Sequence, residues 1–133
     1  MSTLKVLSDL KYTKNDEWLR IEGNSATVGI TDYAQDQLND IVYVEFPDVG
    51  AEIAQGSTLG VVESVKAASD VYAPVSGEVV AVNSALGDKP ETINEDAYGE
   101  GWIFVVKPSN LAEESEELLD PDAYAEAIEG EEH

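Results

Sequence analysis

The chain has 133 residues, with 28 acidic side chains against 7 basic ones, and a formal net charge of −21. That balance argues against nucleic acid, whose phosphates need basic contacts, and against an anionic membrane surface, which would repel the chain. Cysteine is missing and the single histidine is His133, which excludes thiol nucleophiles, disulfides and Cys/His zinc sites and leaves a Ser-His-Asp triad without a securely placed imidazole.

Such a length suits one domain, residues 1–133, with a core of its own. No apolar run approaches the roughly 20 residues of a membrane helix. The N-terminal Met1-Ser2-Thr3-Leu4-Lys5 stretch lacks the features of a secretory or transit signal, so the cytoplasm is the default location.

In chain order, residues 17–22 alternate as a strand, Gly23-Asn24 reads as a turn, and residues 26–30 return as the second arm of a hairpin. Thr31 is placed to cap a short helix whose Tyr33, Ala34, Gln37, Leu38 and Ile41 fall near one face. Residues 41–46 resume strand character, and Pro47-Asp48-Val49-Gly50 ends it. Further strands are expected at residues 59–62, 71–75, 78–82 and 102–106, with a turn region at 83–88. Many short strands between turn signals predict a mainly β chain folded as a flattened barrel.

The C-terminal segment, residues 109–133, changes character and reads as an acidic helical extension. Asn110 with Glu113, and Asp120 before Pro121, are two helix-start signals. In the second helix Tyr124, Ala125 and Ile128 share a face that packs back on the barrel. Gly130 marks its end, and Glu131-Glu132-His133 is expected to fray.

One basic residue stands apart. Lys66 is the only cation between Arg20 and Lys89, and it sits between two β-prone runs in a segment of small residues, Ser64, Ala67, Ala68 and Ser69. The simplest arrangement is a hairpin with Lys66 at its tip. A weak surface salt bridge with Glu63 or Asp70 is the plainer role for such a lysine. Small neighbours suit covalent modification better.

Glu63-Ser64-Val65-Lys66-Ala67-Ala68-Ser69-Asp70, followed by Tyr72-Ala73-Pro74-Val75-Ser76-Gly77-Glu78-Val79, resembles the lipoyl-attachment region of glycine cleavage system H-proteins. Tyr12-Thr13, Glu17-Trp18, residues 28–35, residues 41–46 and Tyr98-Gly99-Glu100-Gly101-Trp102 resemble family segments in the same order. The resemblance implies a lipoyl-domain-like barrel, a barrel-sandwich hybrid with short added helices, and lipoic acid joined by an amide to Lys66. It also implies a covalent carrier in glycine catabolism and one-carbon metabolism, not a catalyst. Glycine decarboxylase would load an aminomethyl group on the arm, aminomethyltransferase would take the one-carbon unit, and dihydrolipoamide dehydrogenase would reoxidise the arm. A lipoylating enzyme is the fourth partner, and the carrier is expected to be a monomer.

By the same resemblance, Glu17 and Asp70 occupy acidic positions near the loaded arm, where carboxylates would bind a protonated amine. Glu63, three residues before Lys66, is placed for recognition by the lipoylating enzyme. Two departures matter: Asp16 stands where relatives often have histidine, and Gln37 replaces a histidine of some relatives, so no histidine protects the arm. A biotin carrier would show Met-Lys-Met at the attachment site, which this chain lacks. A lipoyl domain of a 2-oxoacid dehydrogenase generally shows Asp-Lys-Ala and lacks the flanking matches. An H-like protein that relays or stores lipoyl groups, or an unmodified interaction module, is the closer alternative.

Overall fold

The structure, a computed structural model, describes residue 7 and residues 9–131. Nine strands alternate with short helices: β1 (Lys11–Tyr12), β2 (Glu17–Glu22), β3 (Ser25–Ile30), α1 (Asp32–Leu38), β4 (Ile41–Glu45), β5 (Glu52–Ile53), β6 (Thr58–Ser64), β7 (Ala68–Tyr72), β8 (Gly77–Val82), α2 (Ala85–Asp88), α3 (Thr92–Glu95), β9 (Phe104–Pro108), α4 (Leu111–Glu114) and α5 (Pro121–Glu131). They form a six-stranded sheet, ordered β1-β2-β3-β9-β8-β5, and a three-stranded sheet, ordered β4-β6-β7. Every pairing is antiparallel. Among the described residues no ladder joins the two sheets, so the expected flattened barrel stays open.

The core lies between the sheets. Leu19, Ala26, Val28, Phe104 and Val106 from the larger sheet meet Ile41, Val44, Val62 and Val71 from the smaller one. Each such Val, Leu, Ile or Phe side chain contributes about 1.5–3 kcal/mol by leaving water. Gly60 is required at the close approach of β6 to β4, because a Cβ there would strike the Glu45 carbonyl. Likewise a Cβ on Gly29 would come within 2.8 Å of the Trp18 indole that lies across β3.

A second, largely aromatic cluster closes one side of the larger sheet: Leu10, Tyr12, Trp18, Tyr33, Tyr98, Tyr124 and Ile128. It docks α5. Tyr124 stacks on Tyr12 with ring centroids 4.5 Å apart, and its hydroxyl lies 2.6 Å from the Thr31 hydroxyl. The Asp120 carboxylate accepts from the Ala123 amide at 2.8 Å, as an N-cap should. Glu114 of α4 ties the extension to the loop after β7, accepting from both the amide and the hydroxyl of Ser76 at 2.6 Å.

Several local expectations shift. Ile41 opens β4 and does not continue α1, because Asn39 turns the chain with φ of 66°. The Lys66 strands run closer to the lysine than expected, and the last core strand begins at Phe104, after Trp102 and Ile103. Asn110 does not cap α4 through its side chain, which donates to Glu113 at 3.2 Å. Helix α5 continues through Gly130 to Glu131, while Glu132 and His133 lie outside the described residues. No helix among the described residues is long and apolar enough to cross a membrane.

With a net charge of −21, exposed carboxylates repel one another in the folded state more than in an expanded chain. Salt shortens the range of that repulsion to about 3 Å at 1 M. Thermal unfolding across a salt series is expected to give a rising Tm, and a flat or falling series would count against the repulsion argument.

Candidate functional site

Strands β6 and β7 form a hairpin whose turn is Val65-Lys66-Ala67. Ser64 builds it. Its hydroxyl accepts from the amides of Lys66 at 3.1 Å and Ala67 at 3.0 Å, and donates to the Ala67 carbonyl at 2.9 Å. The Val65 amide donates to the Asp40 carbonyl at 3.0 Å, which pins the turn to the α1–β4 connection. The backbone is thus held without the lysine side chain, and Lys66 stands exposed.

The Lys66 ammonium donates to the carbonyl of Gln37 at 3.3 Å. That carbonyl belongs to the last turn of α1, where unsatisfied carbonyls carry partial negative charge. Among the described residues neither Glu63 nor Asp70 forms an ion pair with Lys66. Glu63 is exposed on β6, in register with Tyr43 and Ala68.

Glu17 is in a different setting. Only 1% of its surface is exposed. Its carboxylate accepts from the Thr13 hydroxyl at 2.7 Å and from the Tyr72 amide at 2.9 Å, and so bridges the β1–β2 turn to the end of β7. Burial pushes its carboxyl up to about 7, against the lowering effect of the Tyr72 and Thr13 hydrogen bonds. Asp70 lies two residues before Tyr72 on β7 and is exposed, with a long 3.5 Å contact to the Tyr72 hydroxyl. Solvation by bulk water therefore describes Asp70 and not Glu17.

A cleft of about 120 Å³ runs between α1 and β7, lined by Gln37, Leu38, Asp16, Asn15 and Asp70 among others. Glu17 lines a neighbouring hollow of about 350 Å³, and Asn15 borders both. The cleft begins at the residue whose carbonyl holds Lys66. Its far wall includes Asp16, which adopts φ of 67° and accepts from the Tyr124 hydroxyl at 3.0 Å. Sequence reasoning passed over Asp16, Asn15 and Leu38 as cleft residues. The available signal was the short Thr13-Lys14-Asn15-Asp16 turn, since Asn and Asp tolerate left-handed backbone.

The chain and its fold match known proteins. The family model described as glycine cleavage H-protein matches residues 10–131. The chain belongs to the glycine cleavage H-protein family. The glycine cleavage system H protein of Stenotrophomonas maltophilia (strain K279a) is 65% identical, over 97% of this chain and 98% of that one. A counterpart from Xanthomonas oryzae pv. oryzae (strain PXO99A) is 62% identical over the same shares. Among solved structures, the H protein of Mycobacterium marinum superposes with a TM-score of 0.84 at 40% identity, covering 91% of this chain and 97% of that one. H-protein membership agrees with the resemblance carried by residues 63–79, and with the mainly β fold built around them.

Proposed function

We propose that this H-protein carries lipoic acid as an amide on Lys66 and acts as a monomeric covalent substrate carrier, not as a catalyst. The observation that carries the reading is the hairpin turn itself, which holds its backbone through Ser64 and Asp40 and leaves the lysine exposed. Acylation would remove the ammonium charge and sacrifice one long contact to a carbonyl, with no ion pair to break. The small side chains of Ser64, Ala67 and Ala68 leave room for an enzyme to reach the amine. Lys66 would hold a lipoyl group whose dithiolane would open on taking the aminomethyl group of glycine at glycine decarboxylase; aminomethyltransferase would remove the one-carbon unit with release of ammonia, and dihydrolipoamide dehydrogenase would reoxidise the dithiol left behind. Glu63 serves recognition by the lipoylating enzyme. Intact-mass analysis and peptide mapping of protein from its native cells test the assignment. The lipoyl mass is expected on the Lys66 peptide, and an unmodified or biotinylated Lys66 would overturn it.

Glu17 and Asp70 are proposed to retain the loaded arm through the positive charge of its amine. The amine at the arm's end favours ionised carboxylates; the cleft between α1 and β7 is lined by Asp70 and by Gln37, whose carbonyl holds Lys66, and it shares Asn15 with the hollow that Glu17 lines. The neutral oxidised dithiolane has no matching charge. Glu17→Gln and Asp70→Asn proteins are therefore expected to accept lipoate normally, yet to lose the aminomethyl adduct to hydrolysis severalfold faster. Mass spectrometry of the adduct over time checks this. Equal lifetimes in parent and variants would remove both residues from the site.

A further inference from the structure

The strand beside the Lys66 hairpin breaks the pattern that a half-buried strand should follow. In β4 the burial order of Ile41-Val42-Tyr43-Val44-Glu45 is buried, exposed, exposed, buried, exposed. Regular alternation would hide one of the two central residues. A register shift between Ile41 and Tyr43, where β4 pairs with β6, is the cause. It leaves Val42 53% and Tyr43 51% exposed, while Val65 in the turn is 67% exposed.

Bulges on edge strands usually twist the edge away or guard it with charge. Here the bulge presents two large apolar side chains. Tyr43 is in register with Glu63, which is in register with Ala68, so Tyr43 lies beside the last paired rung before the turn. Val65 is tied to the same corner by its amide bond to Asp40, one residue before β4. Asp40, Glu45 and Glu63 are exposed around these three side chains, and no basic residue other than Lys66 lies between Arg20 and Lys89.

We infer that Val42, Tyr43 and Val65 form the docking patch for the enzyme that acylates Lys66, whose complementary surface is an apolar hollow with a basic rim. The inference rests on the proposal that Lys66 is lipoylated. The choice of occupant follows from reach. Acylation joins the Lys66 nitrogen to the carbonyl carbon of an activated lipoyl group, expels the activating group with its electron pair, and releases a proton from nitrogen. That enzyme must close on the lysine nitrogen itself, so its contact surface falls on the residues nearest the turn. Aromatic and apolar side chains at the centre of a contact dominate its energetics, with charges at the rim steering encounter.

The test measures initial lipoylation rates of the full-length apo-protein by intact mass, using purified lipoylating enzyme with lipoate and ATP. The Val42→Thr/Tyr43→Thr double variant keeps strand-forming residues, and Val65→Ser alters only the turn. Each is expected to lower kcat/KM about tenfold, the scale of a central contact residue, with the circular dichroism spectrum and Tm retained. Direct titration of apo-protein with the enzyme, without lipoate, should weaken in parallel. Val80→Ser, which removes a comparable exposed side chain from β8, should behave as the parent. After exhaustive lipoylation the patch variants should support glycine decarboxylase at the parental rate. Parental lipoylation kinetics in the patch variants, an equal loss in Val80→Ser, or a loss confined to the decarboxylase step would overturn the inference while leaving lipoyl-Lys66 in place. A parent protein that accepts no lipoate would instead remove the underlying assignment, and the inference with it.

Discussion

Lys66→Arg protein is expected to fold as the parent does, to accept no lipoyl group, and to give no glycine cleavage activity. Folding should survive because the turn is made by the Ser64 hydroxyl and by the Val65 amide on Asp40. The side chain at position 66 adds only its contact with Gln37, so the change in stability should stay within about 0.5 kcal/mol. Acylation fails for a separate reason. A guanidinium with a pKa above about 12 offers no free amine at working pH, whereas a lysine nitrogen can lose its proton and attack. Charge is thus retained and nucleophilicity removed. Peptide mapping should find no lipoyl mass on the variant after incubation with the lipoylating enzyme, and reconstituted glycine cleavage should fall to background. Modification of another lysine, or full activity, would sink the assignment of Lys66.

The hairpin and its lysine were legible because their signals are local. Val65 to Ala67 make a three-residue turn flanked by the small residues Ser64 and Ala68, and Lys66 is the one cation in a long acidic stretch. The β2–β3 hairpin, the Thr31 cap and the docking of Tyr124 were readable for the same reason. What escaped depends on contacts between distant segments. Two-residue strands such as β1 and β5 exist only because a partner strand lies alongside, and they leave no periodicity. Strand β2 buries Glu17, Trp18 and Leu19 in succession. Leu19 faces the core between the sheets while Trp18 faces the aromatic cluster under α5, so both sides of the strand are covered at that end. Alternation puts Glu17 on the same face as Leu19, and only its charge argued for solvent. Its burial follows from the approach of Tyr72, 55 residues away, which no local pattern foretells. The cleft likewise needs α1 to meet β7.

Glu17 is expected to make the folded protein lose stability as pH rises from about 4.5 towards 7, and Glu17→Gln is expected to remove most of that loss. The carboxyl has an ordinary value of 4.5 and rises to about 7 when folded, chiefly because burial disfavours its charge. Below the ordinary value both folded and unfolded chains hold the proton, and Glu17 contributes no slope. Between the two values the unfolded chain has released its proton while the folded one keeps it, so the folded state binds more protons and stability falls with rising pH. Above the folded value both are ionised and the slope ends. The full cost is on the order of 3 kcal/mol, partly offset in practice by relaxation around the buried charge. General repulsion among 28 acidic residues slopes the same way, so the comparison is made in concentrated salt, where exposed charges are screened. Chemical denaturation of parent and Glu17→Gln at several values from about pH 5 to about pH 8 gives the difference directly. The glutamine is uncharged throughout and still accepts one of the two hydrogen bonds, so the variant should match or exceed the parent above pH 7 and lose its advantage near pH 5. Parallel curves would mean that Glu17 is already ionised throughout this range. An ionised Glu17 would still attract the cationic amine of a loaded arm, so that outcome would revise the pH dependence of stability and leave the adduct-lifetime test to decide the role in the arm.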